Sequence, residues 1–361
     1  MARQDDEALE KVTLVTASVE LVSESKSVSE SALVSEPEPA SEAPSADGLR
    51  QGMQVDEFVI ESLLGRGGVS EVYRAHDTRT DTMVALKFLL PSRLNDKQAC
   101  ARLRSEAKHI MSLRHRSIVS VFDVREHEIA GPFLVMELLD GKPLTEYLPL
   151  TQKQALEICI EVAEALSYAH GSGMIHRDIK PSNVMILADG TVRLVDFGLA
   201  RVFAQENPEH IPLTRTTEIV GTPLYMSPEQ CFGQDVNVTT DIYQLGCLLF
   251  QSITGFPPFG GSTSFEAMYN HVSAQPDLKA MPPLLRDILN KALGRNPGAR
   301  FQSAAEMGQC LREAIRGRNT VGRRSTRISP NLSSSLLLIG GATIVLVGIG
   351  VIVLPSVFNS A

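Results

Sequence analysis

Cysteine is scarce and scattered. The 361 residues hold five (Cys100, Cys159, Cys231, Cys247 and Cys310), with no C-x-x-C pair and no histidine nearby at metal-ligand spacing. That argues against a zinc module and a disulfide framework, and it reads as small apolar side chains in a reducing compartment. An excess of positive charge is lacking too: 34 Lys and Arg stand against 42 Asp and Glu, for a net charge of −8. A binder driven by nucleic-acid phosphates is therefore excluded, and no nucleic-acid partner is expected. No basic stretch followed by an apolar run opens the chain, so no secretory signal peptide is expected. Residues 1–50 lack apolar clustering and are rich in Ser, Glu, Ala and Pro. Such a segment cannot bury enough surface to offset its ordering entropy, and it reads as a disordered acidic tail. Thr13 to Val22 alternates weakly, which leaves a transient helix or strand open there.

From Phe58 the pattern changes to short apolar runs. Val59 to Leu64, the glycine-rich Gly65 to Ser70, and Glu71 to Ala75 read as strand, tight turn, strand. A G-x-G here would also suit a dinucleotide fold, but in that fold the glycines open a helix. Here they lead into another strand. Met83 to Leu89 forms a third strand with Lys87 inside an apolar stretch. An unpaired buried ammonium is costly, so Lys87 either meets phosphate with a carboxylate partner or snorkels from an edge strand. A helix over about 96–113 places Glu106 within reach of Lys87. Strands at Val119 to Asp123 and Phe133 to Glu137 follow, then a connecting stretch from Leu138 to Gly141. A helix capped by Thr151 runs to Gly171. Small strands at Val184 to Leu187 and Val192 to Val195 flank the turn Asp189-Gly190. Helices are expected near 238–254, 263–272, 284–292 and 304–315. Strands first and helices after predict an α+β chain with a small sheet-rich lobe and a larger helical one.

The chemistry concentrates between those small strands. His176-Arg177-Asp178-Ile179-Lys180-Pro181-Ser182-Asn183 sets an acid, a cation and a carboxamide at fixed offsets, and Asp196-Phe197-Gly198 follows. Asp178 can accept a proton from a hydroxyl nucleophile, Lys180 can meet phosphoryl charge, and Asn183 and Asp196 can offer hard oxygens to magnesium. In this order and spacing the two motifs resemble the catalytic and magnesium loops of the protein kinase family. Lys180 looks like the serine/threonine branch. Residues 55–315 as a whole resemble a eukaryotic-like bacterial serine/threonine protein kinase, with a small lobe to about 138 and a large lobe from about 139.

The resemblance implies further roles. Gly65 and Gly67 match the glycine loop over the ATP phosphates, with Ser70 where the family has a third glycine. Lys87 would contact the α- and β-phosphates and pair with Glu106. Val72, Ala85 and Met185 would enclose the adenine, Met136 would be the gatekeeper, and Glu137 and Leu139 would offer backbone groups to the adenine edge. Asp178 would be the catalytic base, with Lys180 on the γ-phosphate and Asn183 and Asp196 on Mg2+, or on Mn2+ in its place. Phe197 and Gly198 complete the magnesium-loop motif. Glu229 and Arg300 would form a buried structural ion pair, and Asp241 would anchor the catalytic loop. Arg177 would receive a phosphothreonine from the segment after Asp196, with Thr214, Thr216 and Thr217 as the autophosphorylation sites expected. The implied activity is transfer of the ATP γ-phosphoryl group to Ser or Thr of protein substrates. Two alternatives stay open: a pseudokinase acting as a membrane scaffold, and a small-molecule kinase. The first is opposed by the presence of Lys87, Asp178, Asn183 and Asp196. The second is opposed by Gly221 to Glu229 and the later helices, which resemble the part of protein kinases that holds peptides.

Residues 335–354, SLLLIGGATIVLVGIGVIVL, carry no charge. At about 1.5 Å per residue they match the roughly 30 Å hydrocarbon layer, so a membrane helix contacting lipid is expected. Arginines in the linker 316–334, and none in 355–361, orient the kinase-like side to the cytoplasm, with a short extracytoplasmic tail. The expected location is thus the cell's inner membrane, crossed once. With only 355–361 beyond the span, regulation is expected from the cytoplasmic side or within the membrane. Gly340, Gly341, Gly348 and Gly350 offer a close-packing face, and a homodimer through it is one expectation.

Overall fold

The computed structural model describes residues 49–68, 70–90, 94, 97–128, 130–197, 223–318 and 321; the side chains of residues 97–99, 101, 102, 105 and 106 lie outside that description. Six strands form the first sheet: β1 (Gln54–Val55), β2 (Phe58–Arg66), β3 (Ser70–Asp77), β4 (Thr82–Leu89), β5 (Val121–His127) and β6 (Gly131–Glu137). Their order is β1-β2-β3-β4-β6-β5, antiparallel throughout. The strand carrying Lys87 is therefore internal, which removes the edge-strand explanation of that lysine. Its side chains alternate as a pleat demands. Val84, Leu86 and Phe88 join Phe58, Phe133 and Val135 in a core on one face, while Ala85 and Leu89 join the large core on the other. Phe133 stacks on Phe88 at 4.8 Å and meets Phe58 edge-on at 6.2 Å. Such pairs contribute about 0.5–1.5 kcal/mol each beyond area burial.

Helix α1 (Lys97–Ile110) packs on β5 and β6. It ends before the expected Leu113, because Ser112 and Leu113 donate to His109 and Ile110, three residues back, in a tight turn. The strand expected from Val119 starts at Val121 instead. Leu194 N–H donates to Ser117 O at 2.9 Å, and Val119 N–H donates to Leu194 O at 3.1 Å, so this stretch is pinned to the second sheet.

That sheet holds three short strands, β7 (Gly141–Pro143), β8 (Val184–Leu187) and β9 (Val192–Leu194). Helices follow: α2 (Gln152–Gly171), α3 (Pro228–Cys231), α4 (Val238–Thr254), α5 (Ser264–Ser273), α6 (Pro283–Ala292) and α7 (Ala304–Ile315), with α2 preceding β8 in the chain. Thr151 caps α2 through a reciprocal box with Gln154, satisfying two otherwise orphaned N–H groups. Almost the whole circumference of α4 is buried, from Thr239 to Phe250, which makes it the axis of the helical lobe. After α7, Arg316 and Arg318 fold back onto Glu313, and Val321 packs against the large core.

All five cysteines are free and buried. Burial raises the thiols of Cys159, Cys231 and Cys247, so none of these is a ready thiolate. Among the described residues, no helix is long and apolar enough to cross a membrane. The acidic tail up to residue 48, Gly198, Thr214, Thr216, Thr217, Gly221, Thr222 and the apolar run 335–354 lie outside the described residues.

Candidate active site

The loop between α2 and β8 is shaped from beneath. Asp241, fully buried near the start of α4, accepts from the backbone N–H of Arg177 at 2.7 Å and of His176 at 2.8 Å. His170, in the last turn of α2, reaches the same carboxylate through Nε2 at 2.8 Å. One helical turn on, Gln244 accepts from Ile179 N–H at 2.9 Å and donates to the Arg177 carbonyl at 2.9 Å. Gln230 of α3 donates to that carbonyl too, at 2.9 Å. This lattice lets Arg177 hold a left-handed backbone, φ 70°. A non-glycine residue adopts that conformation only where its surroundings over-determine it.

His176 ties this loop to the next one. Its buried Nδ1 accepts from Asp178 N–H at 3.3 Å, its Nε2 donates to the Val195 carbonyl at 2.9 Å, and its ring lies 4.5 Å from that of Phe197. Burial pulls the imidazole below its ordinary value, and the neutral ring is the form that can accept at Nδ1. The following residue, Asp196, is also left-handed at φ 65°. The two strained backbones thus flank one cleft.

Within the cleft, Lys180 Nζ donates to Asp178 Oδ2 at 2.8 Å. Asn183 Nδ2 donates to the Asp178 carbonyl at 2.7 Å and to Oδ2 at 3.0 Å, which leaves its amide oxygen as the atom to offer a cation. Lys87 is buried on β4, and its Nζ meets Asp196 Oδ1 at 2.5 Å. Desolvation opposes the charge on Asp196, but the Lys87 ammonium and its hydrogen bond outweigh it and hold the carboxyl below its ordinary value. Asp178, Lys180 and Asn183 are thus brought together, as are Lys87 and Asp196. Glu106 lies on α1, with its side chain outside the described residues.

The residues expected around adenine lie on β3 (Val72), β4 (Ala85), β6 (Met136 and Glu137), β8 (Met185) and the connection after β6 (Leu139). Val72 pairs with Lys87 and Ala85 with Met136 across the sheet, and Met185 lies on β8 opposite Pro143. Glu137 N–H is already donated to Ser120 O at 2.9 Å, so its carbonyl is the backbone group left to offer. Gly67 N–H donates to Ser70 O at 2.8 Å and closes the turn between β2 and β3. Arg66 pairs with buried Glu71, which also accepts from Tyr73 Oη at 2.7 Å.

Glu229 and Arg300 meet as a buried two-pronged pair, both N···O distances 2.8 Å, with Thr240 donating to Glu229 at 2.7 Å. Desolvation is again outweighed, here by the Arg300 hydrogen bonds, and Glu229 stays below its ordinary value. Sequence reasoning missed His170, Gln230, Gln244 and the Arg66–Glu71–Tyr73 group. Only Gln244 carries a signal, an amide among apolar residues in the middle of a helix, which must find a partner.

A hairpin-rich lobe and a helical one, with an acid and an amide bonded together and a second acid paired to a buried lysine, define a phosphotransfer architecture. The protein kinase domain family matches residues 58–311, and the chain belongs to it. Among curated relatives, serine/threonine-protein kinase PknB of Mycobacterium tuberculosis is 39% identical over 268 residues, 70% of this chain and 42% of that protein. PknB of Mycobacterium leprae is 37% identical over 303 residues, 80% and 47% respectively. The chain thus spans less than half the length of these relatives. A crystal structure of the Mycobacterium tuberculosis PknI kinase domain aligns with TM-score 0.61 at 27% identity, covering 74% of this chain and 99% of that one.

Proposed function

We propose that the chain is a serine/threonine protein kinase that uses ATP and magnesium and is held at the membrane by residues 335–354. The observation that carries the catalytic reading is the joining of Asp178, Lys180 and Asn183 in one bonded group, beside a Lys87–Asp196 pair. A substrate hydroxyl gives its proton to Asp178 while its oxygen bonds the γ-phosphorus and the bond to the ADP oxygen breaks. Lys180 offsets charge on the phosphoryl group in transit. Lys87 exchanges its bond to Asp196 for the ATP phosphates, with Glu106 as its carboxylate partner, and Gly65 and Gly67 let backbone N–H groups approach them. Val72, Ala85, Met136 and Met185 enclose the base, which the Glu137 and Leu139 backbone reads.

The donor set suits a hard cation. Asp196 is held ionised and Asn183 has its amide oxygen to spare, and two such oxygens plus phosphate and water are how Mg2+ is usually held. When bound, the ion neutralises charge on the phosphates. Arg177 receives a phosphate from Thr214, Thr216 or Thr217 and orders the segment that carries them. The juxtamembrane arginines orient the catalytic side to the cytoplasm of an inner-membrane protein.

The test is transfer of label from ATP to a general protein substrate by the full chain in lipid, with Mg2+, beside Asp178→Asn. Labelling by the wild type alone supports the reading, and phosphopeptides at Thr214, Thr216 or Thr217 support the regulatory part. ATP binding without transfer would point instead to a scaffold. A chain recovered entirely in the soluble fraction would remove the membrane assignment.

A further inference from the structure

The turn Pro223–Tyr225 enters the segment read above as the peptide-holding part, and it rests on a buried polar pair the phosphotransfer chemistry does not use. Tyr243 of α4 is fully buried, and its hydroxyl lies 2.8 Å from Nδ1 of His271 on α5, itself 1% exposed. Arg300 lies over the Tyr243 ring at 4.8 Å, and Phe259 closes on the imidazole with ring centroids 4.9 Å apart. Burial keeps the phenol protonated, so its O–H donates to Nδ1 and the neutral imidazole carries its proton on Nε2. That second nitrogen is buried and has no hydrogen-bond partner among the described residues. Its neighbours there are the backbones of Leu224 and Pro223, whose hydrogen bonding favours a protonated ring, yet neither contact reaches the geometry of a formed bond. The far end of the same turn is fastened, since Tyr225 Oη donates to Gln251 Oε1 at 2.6 Å.

A buried N–H aimed at an unclosed bond has a free-energy reason to close it. We propose that His271 is a positioning residue for the protein substrate: its Nε2–H closes onto a carbonyl of the Pro223–Tyr225 turn and fixes that turn at the height the substrate peptide requires. Tyr243 sets the tautomer that makes this possible. The inference rests on the protein kinase reading and assigns His271 no contact with ATP.

The experiment is steady-state phosphorylation of one serine peptide at pH 7.5 by the full 361-residue chain in detergent, with peptide and ATP varied separately and thermal midpoints recorded. His271→Asn keeps an acceptor for Tyr243 but withdraws the Nε2 donor, whereas His271→Gln places an amide nitrogen near it. For His271→Asn the peptide KM rises about five- to tenfold while the ATP KM and the midpoint hold, and His271→Gln recovers most of the loss. A merely structural histidine would lower the midpoint and degrade both constants together, and that outcome overturns the proposal, as does an unchanged peptide KM. If His271→Asn does not fold, Tyr243→Phe decides, since it removes one oxygen and lets the tautomer relax; a peptide KM equal to that of the wild type then sinks the idea. Absence of peptide phosphorylation by the wild type itself would instead refute the kinase reading beneath it.

Discussion

The loop from His176 to Asn183 has two sides that are built differently. Its cleft side is half-open: Asp178 and Lys180 keep 33% and 29% of their side-chain surface, and each is bonded chiefly to another residue of the same loop. Its underside is closed, with Asp241 and Arg300 at 0% side-chain exposure and Glu229 at 4%, each saturated by partners from distant segments. Open pairs can exchange partners when a substrate arrives, because water and ligand compete on similar terms. Closed pairs cannot, since losing one partner strands a charge in a poor dielectric. Chemistry therefore sits on the exchangeable side and stability on the saturated one.

The largest effect that would break this contrast belongs to Asp178. Replacing it by Asn keeps its size and much of its bonding to Lys180 and Asn183 but removes the base, so phosphotransfer should fall about a thousandfold or more. The urea midpoint should stay close to that of the wild type. A large drop in stability would show that the cleft side is structural after all.

Next in size is Arg300→Ala, which leaves buried Glu229 with Thr240 as its remaining side-chain donor and takes the Arg300 donor from the carbonyls of Gly294, Arg295 and Thr239. Breaking a buried pair from one side costs about 3–5 kcal/mol, a large share of a domain's stability. Denaturant unfolding measures it. A variant with wild-type stability but lost activity would place Arg300 on the chemical side.

How much of this was legible beforehand follows the same division. Asp178, Lys180, Asn183 and Asp196 stand within one short stretch, and local spacing is what a sequence displays. The Glu229–Arg300 and Asp241 anchors came through the family resemblance, not through local spacing. His170, Gln230 and Gln244 were hidden because their partners are remote: Gln244 lies 65 positions from Ile179, and His170 lies 71 from Asp241. Strand β7 has three residues and no room for periodicity. The displaced start of β5 is tertiary override, with Ser117 and Val119 recruited by Leu194 of the second sheet.

A smaller effect tests the connection between the lobes. A Cβ on Gly141 would sit 2.5 Å from the Ile186 carbonyl oxygen and 2.9 Å from Leu187 Cα, both backbone atoms that yield only if the strand pair moves. Gly141→Ala should cost about 1–3 kcal/mol and raise the ATP KM, because the residue follows the hinge at Leu138 to Asp140. Unchanged ATP affinity would show that this short sheet is uncoupled from the nucleotide cleft.

The finest test separates the underside from its own protons. Desolvation lowers His271 from its ordinary 6.5 to about 4, and the Tyr243 hydroxyl bonded to its Nδ1 stays protonated across that window. Between pH 6.5 and 4 the unfolded chain takes up a proton that the folded chain refuses, so stability falls as pH drops through this range. Below about 4 the folded ring protonates as well, and this contribution levels off. Other carboxylates titrate nearby, so the quantity to read is the difference between the wild type and His271→Asn. Urea midpoints at neutral pH and near pH 4.5 should show the wild type losing about 2–3 kcal/mol more than the variant. Parallel losses would mean that the folded chain protonates His271 as readily as the unfolded chain does.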